Sequence, residues 1–471
     1  MRSLAPNSPF PVSPATAGFV LASLILAYEP LRWLIGSWLD PSYSSSGAVY
    51  LVALAALAAW SLSSPPVRRD TGHRQTAVLL LAASALIRLL SQVLAINVIG
   101  GFALALDVYA LSVLLRTGSR RRPVSPFWLS ILFLMVVAMI AVGGLTRLTD
   151  SGLSITEWRP VTGALPPMSE AEWQSEFAKY QQIDQFQLLN KWMDLEDFKQ
   201  IYWWEWSHRQ IGRLIGLVWA VGFLGFLVAR KVPTGWTGRL LLIGALGGLQ
   251  GAIGWWMVAS GVTEGEGMTS VASYRLATHL GLAFLILGFI AWYVFLLGRT
   301  ERDLMQARRS KEAKQYGLST GLLHMVFLQI LIGALVAGID AGRSYTDWPL
   351  MGGQWLPPNP WMVEPAWRNF FENPALVQFV HRCFGYLVLI FGVVVWLRGR
   401  QSAHPATRFA FNMAFAALCL QVVLGIMTVI YAAPLHIAIV HQLVAVAVFT
   451  LILRARYLSA YPVVATIRGT K

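Results

Sequence analysis

The chain has 471 residues, of which 56% are hydrophobic and only 13% are charged, and its mean hydropathy is +0.56. A soluble protein has about a quarter of its residues charged, so this composition excludes an ordinary soluble globular protein. The formal net charge of +14 could suggest a nucleic-acid partner, but the basic residues lie mostly in short loops between apolar runs, which is the pattern of a membrane protein without nucleic acid.

About twelve apolar segments are predicted to cross the membrane as helices, because a bilayer requires about 20 apolar residues. A spanning strand would be about half as long and would alternate polar and apolar residues, which these segments do not. The predicted fold class is therefore all-α and polytopic. The predicted spans lie near 16–38, 47–63, 76–95, 97–115, 127–146, 205–229, 238–258, 271–297, 318–338, 376–397, 407–430 and 433–453.

Lysine and arginine in alternate loops predict the orientation in the membrane. With these basic loops in the cytoplasm, both termini are cytoplasmic, and the long loops 147–203 and 339–374 lie on the outer side. No cleavable signal peptide is evident at the start, and we expect a bacterial inner-membrane protein. The basic loops contain Arg68, Arg69, Arg74, Arg116, Arg120, Arg121, Arg122, Arg230, Lys231, Arg299, Arg308, Arg309, Lys311, Lys314, Arg398, Arg400 and Arg408.

The last eight segments contain an internal repeat. Residues 143–158 match residues 333–348 at a constant offset of 190, with seven identities and one exchange of glutamate for aspartate. Each repeat is predicted to form a four-helix bundle, and the two tandem bundles should be related by pseudo-twofold symmetry. The match continues at shorter offsets, where His208, Arg209, Gly212, Gln250, Gly254 and His279 correspond to His381, Arg382, Gly385, Gln421, Gly425 and His441.

The repeat also predicts the domain boundaries. The first half is expected at 127–316, with the outer loop 147–203, and the second half at 317–471. Residues 1–126 form an additional N-terminal membrane segment of about four helices, to which no role is assigned. Polar side chains are costly inside a membrane and usually functional, and the predicted spans of this segment contain Arg88, Asn97 and Asp107.

Four of the eight histidines are matched by the repeat, His208 with His381 and His279 with His441. His208 and His279 are predicted near the outer ends of helices that run in the same direction, and His381 and His441 stand in the same relation. Two imidazoles facing each other across a four-helix interior suit the axial positions of heme iron. Zinc is the alternative ligand, but it would require cysteine or carboxylate partners clustered with the imidazoles. The histidines without a repeat partner are assigned no role: His73, His324, His404 and His436.

A carboxylate distinguishes the two predicted sites. Glu205 precedes His208 by three residues and shares its helix face, whereas Gln378 holds the equivalent place before His381. A carboxylate there could move protons or stabilise a cation formed at a substrate. We therefore expect chemistry in the first half and an electron-carrying heme in the second, the alternative being a solvated glutamate at a helix end.

Three arginines flank the histidines: Arg209, Arg275 and Arg382. Arginine forks suit the propionates of a heme, so Arg209 and Arg275 are expected at the heme of the first half and Arg382 at the heme of the second half. The alternative is that these side chains reach outward to water or lipid headgroups.

These motifs resemble the heme A synthase family, in its proteobacterial and mitochondrial branch. The resemblance covers roughly residues 127–456. A second branch carries a cysteine pair in an outer loop, whereas this chain has only Cys383 and Cys419, both in predicted spans. The most specific matching segments are 143–154, 158–160, 163–167, 205–209, 340–342 and 346–352.

The resemblance implies an oxidoreductase that converts the C8 methyl group of heme O to a formyl group by successive hydroxylations, giving heme A for terminal cytochrome oxidases. It implies that His381 and His441 bind the iron of a heme b cofactor. It also implies that His208 and His279 bind the iron of the substrate heme, with Glu205 as the catalytic residue.

The expected partners are heme O, heme O synthase, an electron donor of unidentified class, membrane lipid and a second copy of the chain. Two other functions remain open at this point. One is a di-heme b-type electron carrier without heme-modifying activity, and the other is a heme transporter or chaperone.

Overall fold

The computed structural model describes residues 28, 32, 80–85, 87–88, 103–110 and 126–463. The chain divides into two compact units, Met1–Arg122 and Pro123–Lys471. Most residues of the four predicted N-terminal spans, including Asn97, lie outside the described residues. The total of about twelve helices therefore stays a prediction.

Eight helices in the described part are long and apolar enough to cross a membrane. The same part of the chain contains no strand, and its only extended pairing is a single bridge between Met351 and Gln354. The prediction of an all-α, multi-pass membrane protein is therefore confirmed. The spanning helices are α1 (Pro126–Leu148), α2 (Leu195–Val228), α3 (Thr237–Val258), α4 (Ser273–Leu297), α5 (Ala313–Gly338), α6 (Pro374–Gly399), α7 (Pro405–Ile430) and α8 (Leu435–Ala460).

Polar caps begin the two helices that carry the first histidine of each pair. Asp194 accepts hydrogen bonds from the first-turn backbone of α2, and the Asp197 carboxylate accepts one from the Asp194 backbone N–H. Asn373 caps α6 in the same way, and Pro374 supplies the helical φ at the first position. At 34 residues, α2 is about 50 Å long, so its first turns extend beyond a hydrocarbon core of about 30 Å on the predicted outer side.

The two halves meet through four central helices. Helices α1, α4, α5 and α8 pack against one another, while α2 and α3 lie on one side of them and α6 and α7 on the other. Within each half, consecutive helices pack as neighbours, as expected for a four-helix bundle. The shared core is apolar and includes Leu129, Leu132, Phe284, Leu287, Leu322, Phe449 and Ile452.

The first outer loop has a small core of its own. It contains the helix Glu170–Gln182, and its aromatic side chains pack on the outer turns of α2. Tyr180 and Phe198 are completely buried there, with ring centroids 5.3 Å apart. This packing fixes the loop over the outer ends of α2 and α3.

One arginine joins the equivalent turns of the two halves. After α1 and α5 the chain turns at Asp150 and Asp340, both in the left-handed region, with φ of 52° and 51°. Arg147 Nη1 lies 2.7 Å from Asp150 Oδ1, and Arg147 Nη2 lies 2.7 Å from Asp340 Oδ2. The repeat has Ala337 in place of Arg147, so this single side chain serves both turns.

Candidate functional site

His208 and His279 meet inside the first half. The His208 ring, on α2, packs against Gly143 of α1, where an added methyl group would lie 2.8 Å from ring Cε1. The His279 ring, on α4, packs in the same way against Gly254 of α3, also at 2.8 Å. All four helices of the first half therefore contribute to one site.

The second half repeats this arrangement. His381, on α6, packs against Gly333 of α5, where an added methyl group would lie 3.0 Å from ring Cε1. His441, on α8, packs against Gly425 of α7 at 3.1 Å. Each half thus places its two histidines in equivalent surroundings, and ligation of one iron by each pair stays a prediction.

The residues present fit two bis-imidazole heme sites. Each histidine ring packs directly against a glycine, where any larger residue would collide with the ring. The helix backbone at the glycine therefore supports one face of the ring. The Nδ1 atoms of His208 and His441 are buried without a hydrogen-bond partner in the described structure, which is costly unless a ligand is bound nearby. No three histidine, cysteine or carboxylate side chains cluster in the described residues as a zinc site would require.

Glutamine amides face three of the four histidines. Their Nε2 atoms lie within hydrogen-bonding distance of the histidine rings, and two of them also donate to the backbone carbonyl of the same histidine. The pairs are Gln250 with His279 (3.2 Å), Gln421 with His441 (3.3 Å) and Gln329 with His381 (3.1 Å).

Sequence analysis did not identify the glutamines as site residues. Gln250 and Gln421 were visible as a repeat pair, but without a role. Gln329 has no repeat counterpart, because the equivalent position is Met139. The available signal was helical spacing: Gln329 precedes Gly333 by four residues and therefore shares its helix face.

Glu205 is a buried carboxylate with both oxygens occupied. Its side chain is on α2, and the residue is only 3% exposed. Ser154 Oγ and the Ile155 backbone N–H both donate to Oε2 at 2.8 Å. Arg209 donates to Oε1 from Nη2 at 2.6 Å and from Nε at 3.1 Å. This environment excludes the solvated helix-end glutamate that the sequence left open.

Gln378 occupies the same place in the second half, and it is 2% exposed. Its Nε2 donates to the Tyr345 carbonyl at 3.1 Å, and its Oε1 accepts from Arg382 Nη2 at 3.2 Å. The second half therefore has a neutral amide where the first half has an ion pair with Arg209.

The paired arginines hold equivalent loop segments. Arg209 donates to the carbonyls of Ile155 and Glu157, at 2.8 and 3.0 Å. Arg382 donates to the carbonyls of Tyr345 and Asp347, at 2.9 and 3.0 Å. These carbonyls are repeat equivalents, so both arginines tie the loop after the first helix of their half to the histidine helix. Contact of either arginine with a propionate stays a prediction.

Arg275 lies one turn before His279 at the start of α4. Its Nη1 donates to the Trp256 carbonyl at 2.8 Å, and its guanidinium lies 4.7 Å from the centroid of the Trp256 ring. Stacking on the indole face stabilises the cation at the outer end of the first half. A propionate partner for Arg275 stays a prediction.

Asp184 fastens the loop that leads into α4, a role that sequence analysis did not assign to it. Its carboxylate accepts from Thr263 Oγ1 and from the backbone N–H groups of Gly265, Glu266 and Gly267, at 2.7 to 3.1 Å. Burial alone would raise the pKa of Asp184, but the hydrogen bonds, led by that from Gly265, hold it below its usual value. The first outer loop is thereby joined to the helix that carries His279.

A cavity of about 400 Å³ lies between the first outer loop and α2. Both basic and acidic side chains line it. Its charged lining consists of Arg159, Glu172, Glu176, Lys179, Arg209 and Arg213.

Comparison with known proteins is consistent over the eight-helix unit. The family described as "Cytochrome oxidase assembly protein" matches residues 126–453, which begin with α1. The curated relatives include a heme A synthase of Ruegeria sp. (strain TM1040), 78% identical over 342 residues, which are 73% of this chain and 90% of the relative. Another is the heme A synthase of Paracoccus denitrificans (strain Pd 1222), 65% identical over 343 residues, which are again 73% of this chain and 90% of the relative.

A more distant relative, the heme A synthase of Cereibacter sphaeroides (strain ATCC 17029 / ATH 2.4.9), is 58% identical over 360 residues, which are 74% of this chain and 91% of the relative. These matches cover nearly the whole of each relative, and the family match over residues 126–453 contains both histidine pairs. The chain therefore belongs to the heme A synthase family of cytochrome oxidase assembly proteins, as its motifs predicted.

Proposed function

We propose that this protein is a heme A synthase, an oxidoreductase that converts the C8 methyl group of heme O to a formyl group by successive hydroxylations. The observation that carries the proposal is the asymmetry between two otherwise equivalent bis-histidine sites: Glu205 beside His208, and Gln378 beside His381. An electron carrier would need no such difference. The heme A would supply terminal cytochrome oxidases.

The two sites have different roles in this proposal. His208 and His279 hold the iron of the substrate heme O, with Arg209 and Arg275 near its propionates. His381 and His441 hold the iron of a heme b cofactor, with Arg382 near its propionates. Heme b, when bound, supplies single-electron transfer to the substrate site.

Glu205 acts in this proposal at the substrate side. Its ion pair with Arg209 and its bonds from Ser154 and Ile155 hold the carboxylate in one position on the His208 helix. A carboxylate preorganised in a water-poor interior stabilises positive charge on a reacting group far better than one in water. We infer that Glu205 stabilises charge developing at the substrate and holds a proton released there.

The proposed location is the bacterial inner membrane, with both termini in the cytoplasm and both long loops outside. Exposed tryptophans on the outer loops support contact with the membrane interface, where indole rings are favoured. Heme O synthase, an unidentified electron donor and a second copy of the chain are the proposed protein partners. The exposed tryptophans of these loops are Trp158, Trp192, Trp348, Trp355, Trp361 and Trp367.

Pigment extraction tests the proposed reaction. The full chain is expressed in a strain that makes heme O but lacks its own heme A synthase, and the hemes are separated by chromatography. We expect heme A in the cells, and heme b together with heme O or heme A in the purified protein. Heme b in both halves and no heme A would instead establish a di-heme electron carrier.

A matched pair of variants controls this experiment. His279→Ala should keep heme b but yield no heme A, because it removes a ligand of the substrate heme only. His441→Ala should lose heme b and also yield no heme A. If His279→Ala lost heme b while His441→Ala kept it, the two halves would have the opposite roles.

A further inference from the structure

The two halves differ at one position beside the first histidine of each pair. Met139 on α1 and Gln329 on α5 are repeat equivalents, 190 residues apart. Each precedes by four residues the glycine that packs against the histidine ring, Gly143 or Gly333. Both side chains therefore project from the same helix face as that glycine.

The structure places the ends of these two side chains at equivalent points. Gln329 Nε2 lies 3.2 Å from a methyl group built on Gly385, which is four residues after the second-half histidine. Met139 Cε lies 3.1 Å from a methyl group built on Gly212, the repeat equivalent of that glycine. A thioether methyl thus occupies the place of an amide.

This exchange leaves His208 without an amide partner. The Gln329 amide lies 3.1 Å from His381 Nδ1 and donates to the His381 carbonyl at 2.9 Å. Gln250 also faces Nδ1 of His279, and Gln421 faces Nε2 of His441, whose Nδ1 is buried without a partner as in His208. In the described structure no glutamine amide faces the His208 ring. A methionine side chain cannot donate a hydrogen bond and accepts one only weakly.

The glutamines are suited to support a histidine bound to iron. When ring Nε2 binds a metal, Nδ1 carries a proton and requires an acceptor. The Oε1 atoms of Gln250 and Gln329 are buried without a partner in the described residues, and their amide nitrogens lie 3.2 and 3.1 Å from Nδ1 of His279 and His381. Rotation of either amide presents Oε1 as that acceptor. Loss of such a hydrogen bond typically lowers metal affinity about 10- to 100-fold.

We propose that Met139 is a positioning residue that makes His208 the exchangeable ligand of the substrate heme. Without an acceptor for its Nδ1 proton, His208 binds iron more weakly than His381 does and releases it first. The heme in the first half is then free to leave as product, while the heme in the second half stays as cofactor. This proposal rests on the proposed function for the assignment of substrate to the first half.

Heme transfer measures this difference without turnover. The purified full chain, loaded with heme b in both halves, is mixed with excess apomyoglobin, and the Soret band follows heme loss. We expect a fast phase from the first half and a slow phase from the second, and His279→Ala should remove the fast phase. Met139→Gln should slow the fast phase about tenfold and leave the slow phase unchanged.

The reverse exchange is the matched test. Gln329→Met should accelerate the slow phase by about the same factor. If Met139→Gln does not fold, this variant alone tests the proposal. Met139→Leu, which keeps an apolar side chain of similar size, should leave both phases unchanged. Unchanged rates in both Met139→Gln and Gln329→Met, or equal slowing in Met139→Leu, would overturn the proposal.

The heme-transfer experiment tests the role of Met139, and the pigment experiment tests the proposed function, so the two can fail independently. If the wild-type chain makes heme A but the exchanges do not alter the rates, Met139 has no role in ligand exchange and the proposed function stands. If the rates change as expected but no heme A is made, Met139 controls heme retention, and the assignment of a substrate half is wrong.

Discussion

The buried environment of Glu205 makes its charge the main local difference between the two sites. A glutamine at that place can still accept from Ser154 or Arg209, but it cannot balance the arginine charge or hold a proton as a carboxylate does. In the second half, Gln378 shows that an amide fits the same position beside an arginine. The exchange of one for the other is therefore structurally conservative and chemically large.

This comparison yields a prediction for Glu205→Gln. The variant should retain heme b in the second half and lower heme A formation about 100-fold or more, which is the usual contribution of a group that transfers protons or stabilises charge. Heme content by pyridine hemochrome and product by chromatography measure the two effects.

Gln378→Glu is the control for this variant. Added to Glu205→Gln, it should not restore heme A formation, because it places the carboxylate beside the cofactor heme. Full activity of Glu205→Gln, or loss of its heme b, would show that Glu205 has a structural role only.

At the scale of the helix, close approach between a glycine and a histidine ring defines each site. The built methyl distances of 2.8 to 3.1 Å are shorter than ordinary van der Waals contact, so any larger side chain would push the imidazole toward the bundle interior. The contact recurs at four positions, on α1, α3, α5 and α7, which is why the two halves present their histidines at equivalent places.

Two glycines of α3 test this packing. Gly254→Ala places a methyl group 2.8 Å from His279 Cε1, so we expect loss of the first-half heme with the second-half heme retained. Gly248→Ala is the matched control, because nothing in the described structure lies within 4 Å of its methyl group. That variant should keep both hemes and stabilise the helix by at most about 1 kcal/mol. Equal heme content in the two variants would contradict the prediction.

At the scale of the whole eight-helix unit, Arg147 connects the outer ends of the halves. Its pair with Asp150 is local, three residues along the chain, whereas its pair with Asp340 joins α1 to the turn after α5. The aspartates are 55% and 50% exposed, so each pair contributes at most about 1 kcal/mol.

Variants of the two aspartates distinguish the stability contributed by the contact between the halves from that of the local contact. Asp340→Asn should lower the midpoint of thermal unfolding in detergent more than Asp150→Asn does, because only the first removes a contact between the halves. Raising the salt concentration should reduce the difference, since both pairs are screened. Equal shifts for the two variants would show that Arg147 does not help to hold the halves together.

Much of this architecture was predictable from the sequence, because its causes are local or repeated. Apolar run length determined the eight helices from α1 to α8, and the constant offset of 190 identified the equivalent turns at Asp150 and Asp340. The same repeat matched His208 with His381 and His279 with His441. Each of these features depends only on spacing along the chain, which helix geometry and bilayer thickness convert into position.

Only the tertiary structure decided what surrounds those residues. The four donors on Glu205, the amides facing three histidines and the bridge from Arg147 to Asp340 all join segments far apart in the chain. Met139 is the clearest case, because a methionine in an apolar run carries no signal until its place relative to Gly212 is known. Such contacts depend on how each helix is rotated and packed against its neighbours, and spacing along the chain does not specify that rotation.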